Sequence, residues 1–501
     1  MRLFATASTL ALLTACTTAD TNEPDGTRGA ALSANQCEFL ATQEASELPL
    51  ETIWVPGADG LPSFCEVTAT LSPVEGSNIG VVYRLPEEWN GNVLGIGGGA
   101  WLGNTSLDAA RDGLVKGYAV MQTNAGHTST NPWGNEWVVN PVQAADFSYR
   151  AIHEMTQAGK RVAARFYGQE HDTAVYSGCS TGGRMGLMEA QRFPADYDAV
   201  IVGAPVYTLQ VQTSAVFRNQ TFAQPQASFT NAELQMVQDA AVAACDADDG
   251  LEDGLINSPR SCSWQPRALQ CEPGETEDCL SPQQVDALNT LYNGRRASDG
   301  SWLMHPMSRG GEASWGFFNR ADGSGQSADP TRGGGLMGLQ PVIFGARQVD
   351  WDNFSDANYL TVRNSDFAEM YEADDTDLSA FFERGGKLML WHGENDAGPS
   401  PVLSNDYARA VLSDNPEASE QFGYYLVPGM GHCAGGPGAD QIDYLAAMED
   451  WLETGNAPDR LIGRKADSDL VRPHCAWPDV ARYDGSGDAN DPSSWSCVPR
   501  S

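Results

Sequence analysis

Two short segments far apart in the chain each set a cysteine beside a residue able to do nucleophilic or acid–base work. One reads Gly178-Cys179-Ser180-Thr181-Gly182-Gly183-Arg184, the other Pro428-Gly429-Met430-Gly431-His432-Cys433. A bond between Cys179 and Cys433 would make Ser180 and His432 neighbours by covalent constraint, so a fold containing that bond must bring both segments to one place. The cysteine count bears on whether the bond forms. Of eleven cysteines, Cys16 sits at the end of an export signal, which leaves an even number in an exported chain. Four pairings are local: Cys37 with Cys65, Cys245 with Cys262, Cys271 with Cys279, and Cys475 with Cys497. They leave Cys179 for Cys433, although spacing alone does not fix the connectivity.

The export signal is read from Arg2, the apolar stretch Leu3 to Leu13, and Leu13-Thr14-Ala15-Cys16. The last four residues resemble a bacterial lipoprotein cleavage box with lipidation on Cys16; a plain signal peptide would also place small residues there. Residues 1–15 are thus expected to be the signal and 16–34, polar and aperiodic, a flexible tether. The expected location is outside the cytoplasm, as an outer-membrane or periplasmic lipoprotein or as a secreted protein. No later apolar run is long enough to span a bilayer, so membrane contact would be through the lipid alone. The formal charge of −36 argues against nucleic acid and against a polybasic membrane patch. It suits a soluble surface in a salty or extracellular medium.

Short β-type runs occupy Glu66–Leu71, Gly80–Leu85, Asn92–Gly97 and Tyr118–Thr123, followed by a helical stretch at Asp146–Ala158. Thr173–Ser177 reads as a buried strand, Arg184–Arg192 as a helix and Asp198–Val202 as a further strand. Lys387–Trp391 and Tyr424–Val427 are again strand-like, and Asp440–Thr454 closes the pattern as a helix. Strands alternating with helices predict a mainly parallel α/β sheet. The core is expected in two parts, residues 35–205 and 378–501, with 206–377 inserted as a lid over the C-terminal edge of the sheet, where α/β proteins place their sites. A second domain packed elsewhere is the alternative.

Gly178-x-Ser180-x-Gly182 fits a tight strand-to-helix turn whose flanks leave no room for side chains. An ordinary helix N-cap would use the same serine. A serine nucleophile needs a base, and the base needs a third group to fix its tautomer. Among seven histidines, His432 lies in a glycine-rich loop after a strand. His392 follows a strand as well but stands only four residues before Asp396. Asp396 itself follows Lys387–Trp391, which gives the order Ser180, Asp396, His432. An oxyanion would be met by the amide of Thr181 and by one from the run Gly97-Gly98-Gly99-Ala100, with Gly99 or Ala100 favoured. No Gly-Lys-Ser/Thr follows that run, so a phosphate cradle is disfavoured.

These motifs together resemble the tannase/feruloyl esterase family of α/β-hydrolases, whose signature is a Cys-Ser, a distant Asp and a His-Cys. The resemblance runs from about Cys37 onward. It implies hydrolysis of phenolic or other aromatic acid esters, such as feruloyl or galloyl esters, through an acyl-serine, with the two cysteines joined beneath the triad. The family includes mono(2-hydroxyethyl) terephthalate hydrolases, which keeps that activity as an alternative. A catalytically inert hydrolase-fold binding protein is the competing reading from another class. The acidic run Cys245 to Ile256 departs from an EF-hand, with Gly250 at its fifth position and no glutamate at the twelfth. Carboxylates at Asp246, Asp249 and Asp253 with carbonyls at Leu251 and Leu255 would suit a structural Ca²⁺. The family carries one at this pattern, and a solvated acidic loop is the bland reading. In the insertion, Gly311-Glu312-Ala313-Ser314-Trp315 resembles a shared lid motif, making Trp315 and Glu312 candidate substrate contacts. Arg309, Arg320, Arg332 and Arg347 also lie in the insertion, and none aligns as a dedicated partner for a substrate carboxylate.

Overall fold

The central strands are short and rich in aliphatic residues, as strands covered on both faces must be. Ala199–Gly203, for instance, is buried at every position. The structure, a computed structural model, describes residues 34–43, 48–319, 321–322 and 335–500. The expected signal, Cys16 and nearly all of the tether lie outside the described residues, as do Arg320 and Arg332.

One nine-stranded sheet forms the core. Its strands are β1 (Glu51–Val55), β2 (Phe64–Leu71), β3 (Ile79–Pro86), β4 (Asn92–Ile96), β5 (Ala119–Thr123), β6 (Thr173–Cys179) and β7 (Ala199–Gly203). After β7 the chain leaves the sheet, makes a small ribbon from β8 (Arg295–Arg296) and β9 (Trp302–Met304), and returns as β10 (Lys387–Gly393) and β11 (Phe422–Val427). The order across the sheet is β1-β2-β3-β5-β4-β6-β7-β10-β11. The first three pairings are antiparallel and the rest parallel. The order reverses between β4 and β6, so the loops leaving these adjacent strands open a crevice at the carboxyl edge. This is the mainly parallel core of an α/β-hydrolase.

Among the described residues, 204–386 add no strand to the main sheet. Their helices include Gln210–Phe222, Asn231–Cys245 and Pro282–Asn293, the last two each started by a capping box. Beyond the core helix Tyr444–Thr454 come two hairpins, β12 (Arg460–Arg464) with β13 (Val471–Cys475) and β14 (Asp479–Tyr483) with β15 (Trp495–Pro499). A disulfide between Cys475 and Cys497 joins them.

Several boundaries differ from the sequence reading. Strand β1, Glu51-Thr52-Ile53-Trp54-Val55, is absent from that reading; its side chains are exposed or only half covered. The helix expected at Asp146–Ala158 starts earlier, at Pro141. It passes through a π turn at Asp146–Arg150 and continues as Ala151–Tyr167 to a left-handed Gly168. The closing helix begins at Tyr444, where the Asp443 side chain accepts from the Ala446 amide at 2.9 Å. No described helix is long and apolar enough to cross a membrane.

Candidate active site

Ser180 sits at the turn from β6 into the helix Thr181–Arg192 with φ 63° and ψ −123°. A non-glycine residue rarely adopts this backbone, and the surroundings hold it there. Its amide donates to Gly203 O at 2.9 Å, and its carbonyl accepts from the Val206 and Arg184 amides. The glycines are needed for space. A Cβ on Gly178 would lie 2.6 Å from the Gly182 backbone, and one on Gly182 would lie 2.7 Å from Gly98 O. The loop after β4 thereby rests directly on the turn that carries Ser180.

That loop leaves two amides over. Gly97 N donates to Ser177 O, Gly98 N to the Met185 sulfur, Trp101 N to Pro132 O and Leu102 N to Gly99 O. Among the described residues the amides of Gly99, Ala100 and Thr181 have no acceptor. All three residues line one cavity of about 290 Å³ together with Ser180 and His432. The Thr181 hydroxyl donates to Ala100 O at 2.5 Å, which fixes the two sides of this donor cluster relative to each other.

Asp396 follows β10 and His432 follows β11. His432 Nδ1 lies 2.6 Å from Asp396 Oδ2. The carboxylate is buried, and its Oδ1 accepts from the Gly398 amide at 2.7 Å. Burial pushes the Asp396 pKa up, but the charge of His432 and hydrogen bonds from His392 and His432 outweigh it and hold the group at about 2. His392, set aside from sequence as a competing base, is fully buried behind the acid. Its Nε2 lies 3.2 Å from Asp396 Oδ2 and 3.1 Å from Pro399 O, and its Nδ1 lies 2.8 Å from Ser404 Oγ. A carbonyl can only accept, so Nε2 carries the proton and Nδ1 receives the Ser404 hydroxyl. The Cys179–Cys433 disulfide, Cα to Cα 5.9 Å, ties the serine turn to the histidine loop. Bonds Cys37–Cys65, Cys245–Cys262 and Cys271–Cys279 are also formed.

Apart from these groups the cavity is walled by Trp101, Trp133, Val206, Val211, Ala215 and Phe318, with Gln212, Arg218 and Asn319 as polar members. Trp133, Gln212 and Arg218 carried no recognisable signal in the sequence. Phe318 meets His432 edge to face at 5.1 Å and, with it, separates this cavity from a second one of about 370 Å³. Gly310, Gly311, Ala313 and Ser314 line the second cavity.

The expectation for Trp315 and Glu312 is corrected here, because neither side chain lines either cavity. Trp315 is buried among insertion aromatics, edge to face with Tyr292. Glu312 Oε1 accepts the Tyr292 hydroxyl at 2.5 Å and Oε2 the Gly310 amide at 2.8 Å, so this side chain shapes the turn from within. Arg309 stacks over Tyr292 and Arg347 bonds Asn358; neither lines the cavities.

In the acidic loop, Asp246 accepts the amides of Asp253 and Gly254, and Asp249 accepts that of Leu251. Asp249, Asp253 and Leu255 border one small cavity with Pro428, the residue that opens the His432 loop. Burial, then the charges of Asp253 and Asp246, raise Asp249 to about 7 against the opposing Leu251 amide and Arg472. Arg472 also pairs with Asp253, 2.9 Å from its Nε to Oδ2. A second cluster, His153, Glu189 and Asp196, lies on the helical layer away from the cavity, with His153 Nδ1 2.6 Å from Asp196 Oδ2.

Comparison with known proteins gives the family. The family model for tannase and feruloyl esterase matches residues 65–498. A mono(2-hydroxyethyl) terephthalate hydrolase from Piscinibacter sakaiensis is 32% identical over 88% of this chain and 86% of its own length. Feruloyl esterase B from Aspergillus niger is 29% identical over 91% of both chains. The crystal structure of feruloyl esterase B from Aspergillus oryzae superposes with a TM-score of 0.82 at 26% identity, covering 93% of this chain and all of the other. The chain is therefore a carboxylic ester hydrolase and belongs to the tannase and feruloyl esterase family.

Proposed function

We propose that this chain cleaves esters of aromatic carboxylic acids through an acyl intermediate on Ser180. The observation that carries the proposal is the 2.6 Å contact of His432 with buried Asp396, on the cavity that also holds Ser180 and three unengaged amides. His432 Nε2 takes the Ser180 proton as Oγ attacks the ester carbonyl. Asp396 keeps Nδ1 protonated, and its low pKa keeps it anionic opposite the imidazolium that forms. The amides of Thr181 and of Gly99 or Ala100 receive the oxyanion. His432 then hands its proton to the departing alkoxide, and water repeats the sequence to free the acid. The apolar walls suit an aromatic acyl group, and the second cavity, on the other side of His432, suits the alcohol. The activity of the Piscinibacter sakaiensis relative supports a second reading, a terephthalate monoester, which the guanidinium on the cavity wall favours.

The acidic loop fits Ca²⁺ by its donor chemistry, carboxylates of Asp246, Asp249 and Asp253 with carbonyls of Leu251 and Leu255, all hard oxygens. A bound cation would relieve the repulsion that raises Asp249 and stiffen the loop beside Pro428.

Ser180→Ala tests the catalytic assignment. Turnover of methyl ferulate should fall by at least about 10⁴-fold. Equal turnover in the two proteins would leave the inert binding protein, or another nucleophile, as the better reading.

A further inference from the structure

Arg184 closes the motif around Ser180, yet its side chain takes no part in the proposed chemistry. It is fully buried, and among the described residues it pairs with no carboxylate. Carbonyls meet the charge instead. Nη1 donates to Ser148 O at 2.6 Å and to Tyr371 O at 3.2 Å, and Nη2 donates to Phe147 O at 3.0 Å; Nε has no acceptor. Phe147 and Ser148 belong to the π turn at Asp146–Arg150, and such turns recur at functional sites. Tyr371 ends a helix of the insertion, Asp366–Tyr371. The guanidinium also lies over two rings, 4.4 Å from the centroid of Tyr371 and 5.4 Å from that of Phe147. Burying a charge is costly, and hydrophobic residues of similar volume often serve a fold as well, so stability alone gives no reason for an arginine here.

The two rings lead to the cavity. Phe147 and Tyr371 each stack on Trp101, with centroids 5.5 and 5.6 Å away and planes 24° and 27° apart. Trp101 walls the first cavity and directly follows Ala100, whose amide is among the three unengaged ones and whose carbonyl takes the Thr181 hydroxyl. At its other end Arg184 donates its own amide to Ser180 O at 3.0 Å. One residue thus holds the serine turn through its backbone and, through two rings, backs the loop that carries the facing amides. On the reading that Ser180 is the nucleophile and these amides receive the oxyanion, we infer that Arg184 is a positioning residue that sets the Thr181 amide against those of Gly99 and Ala100. The flat fork matters to this role. It reaches carbonyls of the π turn and of the insertion while lying against both rings, which the single ammonium of a lysine does not do.

The test measures kcat and KM for methyl ferulate, and the Kd of phenylboronic acid, in the wild type, Arg184→Met, Arg184→Lys and Tyr371→Leu. The boron takes an electron pair from Ser180 Oγ while His432 takes the proton, so the adduct is a tetrahedral anion that needs the same amides. Tyr371→Leu keeps Arg184 and its carbonyl acceptor but removes one ring between Arg184 and Trp101. Each variant should lower kcat by about 10- to 100-fold, leave KM within about 3-fold, and weaken phenylboronic acid in step with kcat/KM. A Kd counts only folded sites, so it holds for a preparation that is partly unfolded. Wild-type affinity for phenylboronic acid in Arg184→Met or in Tyr371→Leu would overturn the inference and leave Arg184 a packing residue. Full activity in Arg184→Lys would overturn it as well. If Ser180→Ala turns over ester like the wild type, the catalytic reading itself has failed, which is a different result.

Discussion

Removing the Cys179–Cys433 bond separates two roles that one disulfide can have, stabilising the fold and placing the catalytic groups. The bond closes a loop of 254 residues. Chain entropy assigns such a closure about 5.5 kcal/mol at 25 °C. The inner bonds Cys245–Cys262 and Cys271–Cys279 span 17 and 8 residues. They shorten the free loop by about a tenth, which alters the logarithm by only about 0.1 kcal/mol. Unfolding a chain of this length carries an entropy of about 1 kcal/mol/K. The double variant Cys179→Ala/Cys433→Ala should therefore lose no more than about 5 °C in Tm. Catalysis should lose more, because the bond joins the residue before Ser180 to the residue after His432. A misplacement of about 1 Å between them costs on the order of 100-fold in kcat. The assay is kcat on methyl ferulate at 25 °C, with Tm and circular dichroism showing that the variant is folded. A folded variant with kcat within two-fold of the wild type would refute the positioning role and leave the bond as a thermal staple.

The remaining predictions concern the groups around the triad. His392→Phe deletes a donor to an ionised, buried carboxylate, so stability at neutral pH should fall by about 1.5–3 kcal/mol. Asp396 is depressed to about 2, so the stability it contributes is complete above its unfolded pKa near 4 and is lost as pH falls through 2. The Tm gap between wild type and His392→Phe should accordingly be flat above about pH 5 and narrow below pH 4; a gap independent of pH would show that His392 acts by packing alone. Adding Ca²⁺ to chelated protein should raise both Tm and kcat. The gain should grow as pH rises from 4 through 7, because Asp249, raised to about 7, must lose its proton to ligate. Differential scanning calorimetry with metal analysis checks this, and an unchanged Tm with no bound calcium would remove the site.

The proposed catalytic groups were legible because local backbone demands write their surroundings into the chain. The close approaches at Gly178 and Gly182 admit no side chain, so the turn around Ser180 appears as glycine spacing. Asp396 and His432 could be found because parallel strands deliver their site residues at their carboxyl ends, and the strands were readable as buried aliphatic runs. Gln212 and Arg218 were not readable, and the reason is physical. Their helix buries Gln212, Thr213, Ser214, Arg218 and Asn219 along with its apolar residues, so no periodic contrast marks which face meets the cavity. Trp315 and Glu312 failed in the opposite direction. Their motif does build the second cavity, but through the backbone and small side chains of Gly310 to Ser314, while Glu312 and Trp315 anchor that turn from its buried side.

This division also orders the chemistry. His432 and Phe318 belong to both cavities, and on the proposed function the partition they make divides acid from alcohol. On the proposed mechanism, the proton that His432 collects from Ser180 on the acyl side is the one it returns to the alkoxide on the other. Gln212 lines only the first of the two cavities. Changes on the wall at Gln212 should alter which acid is accepted without altering which alcohol leaves. Changes at Ala313 or Ser314 should do the converse. Phe318 is the exception, since its ring packs on the imidazole that serves both halves, and it couples the choice of substrate to the placement of the base.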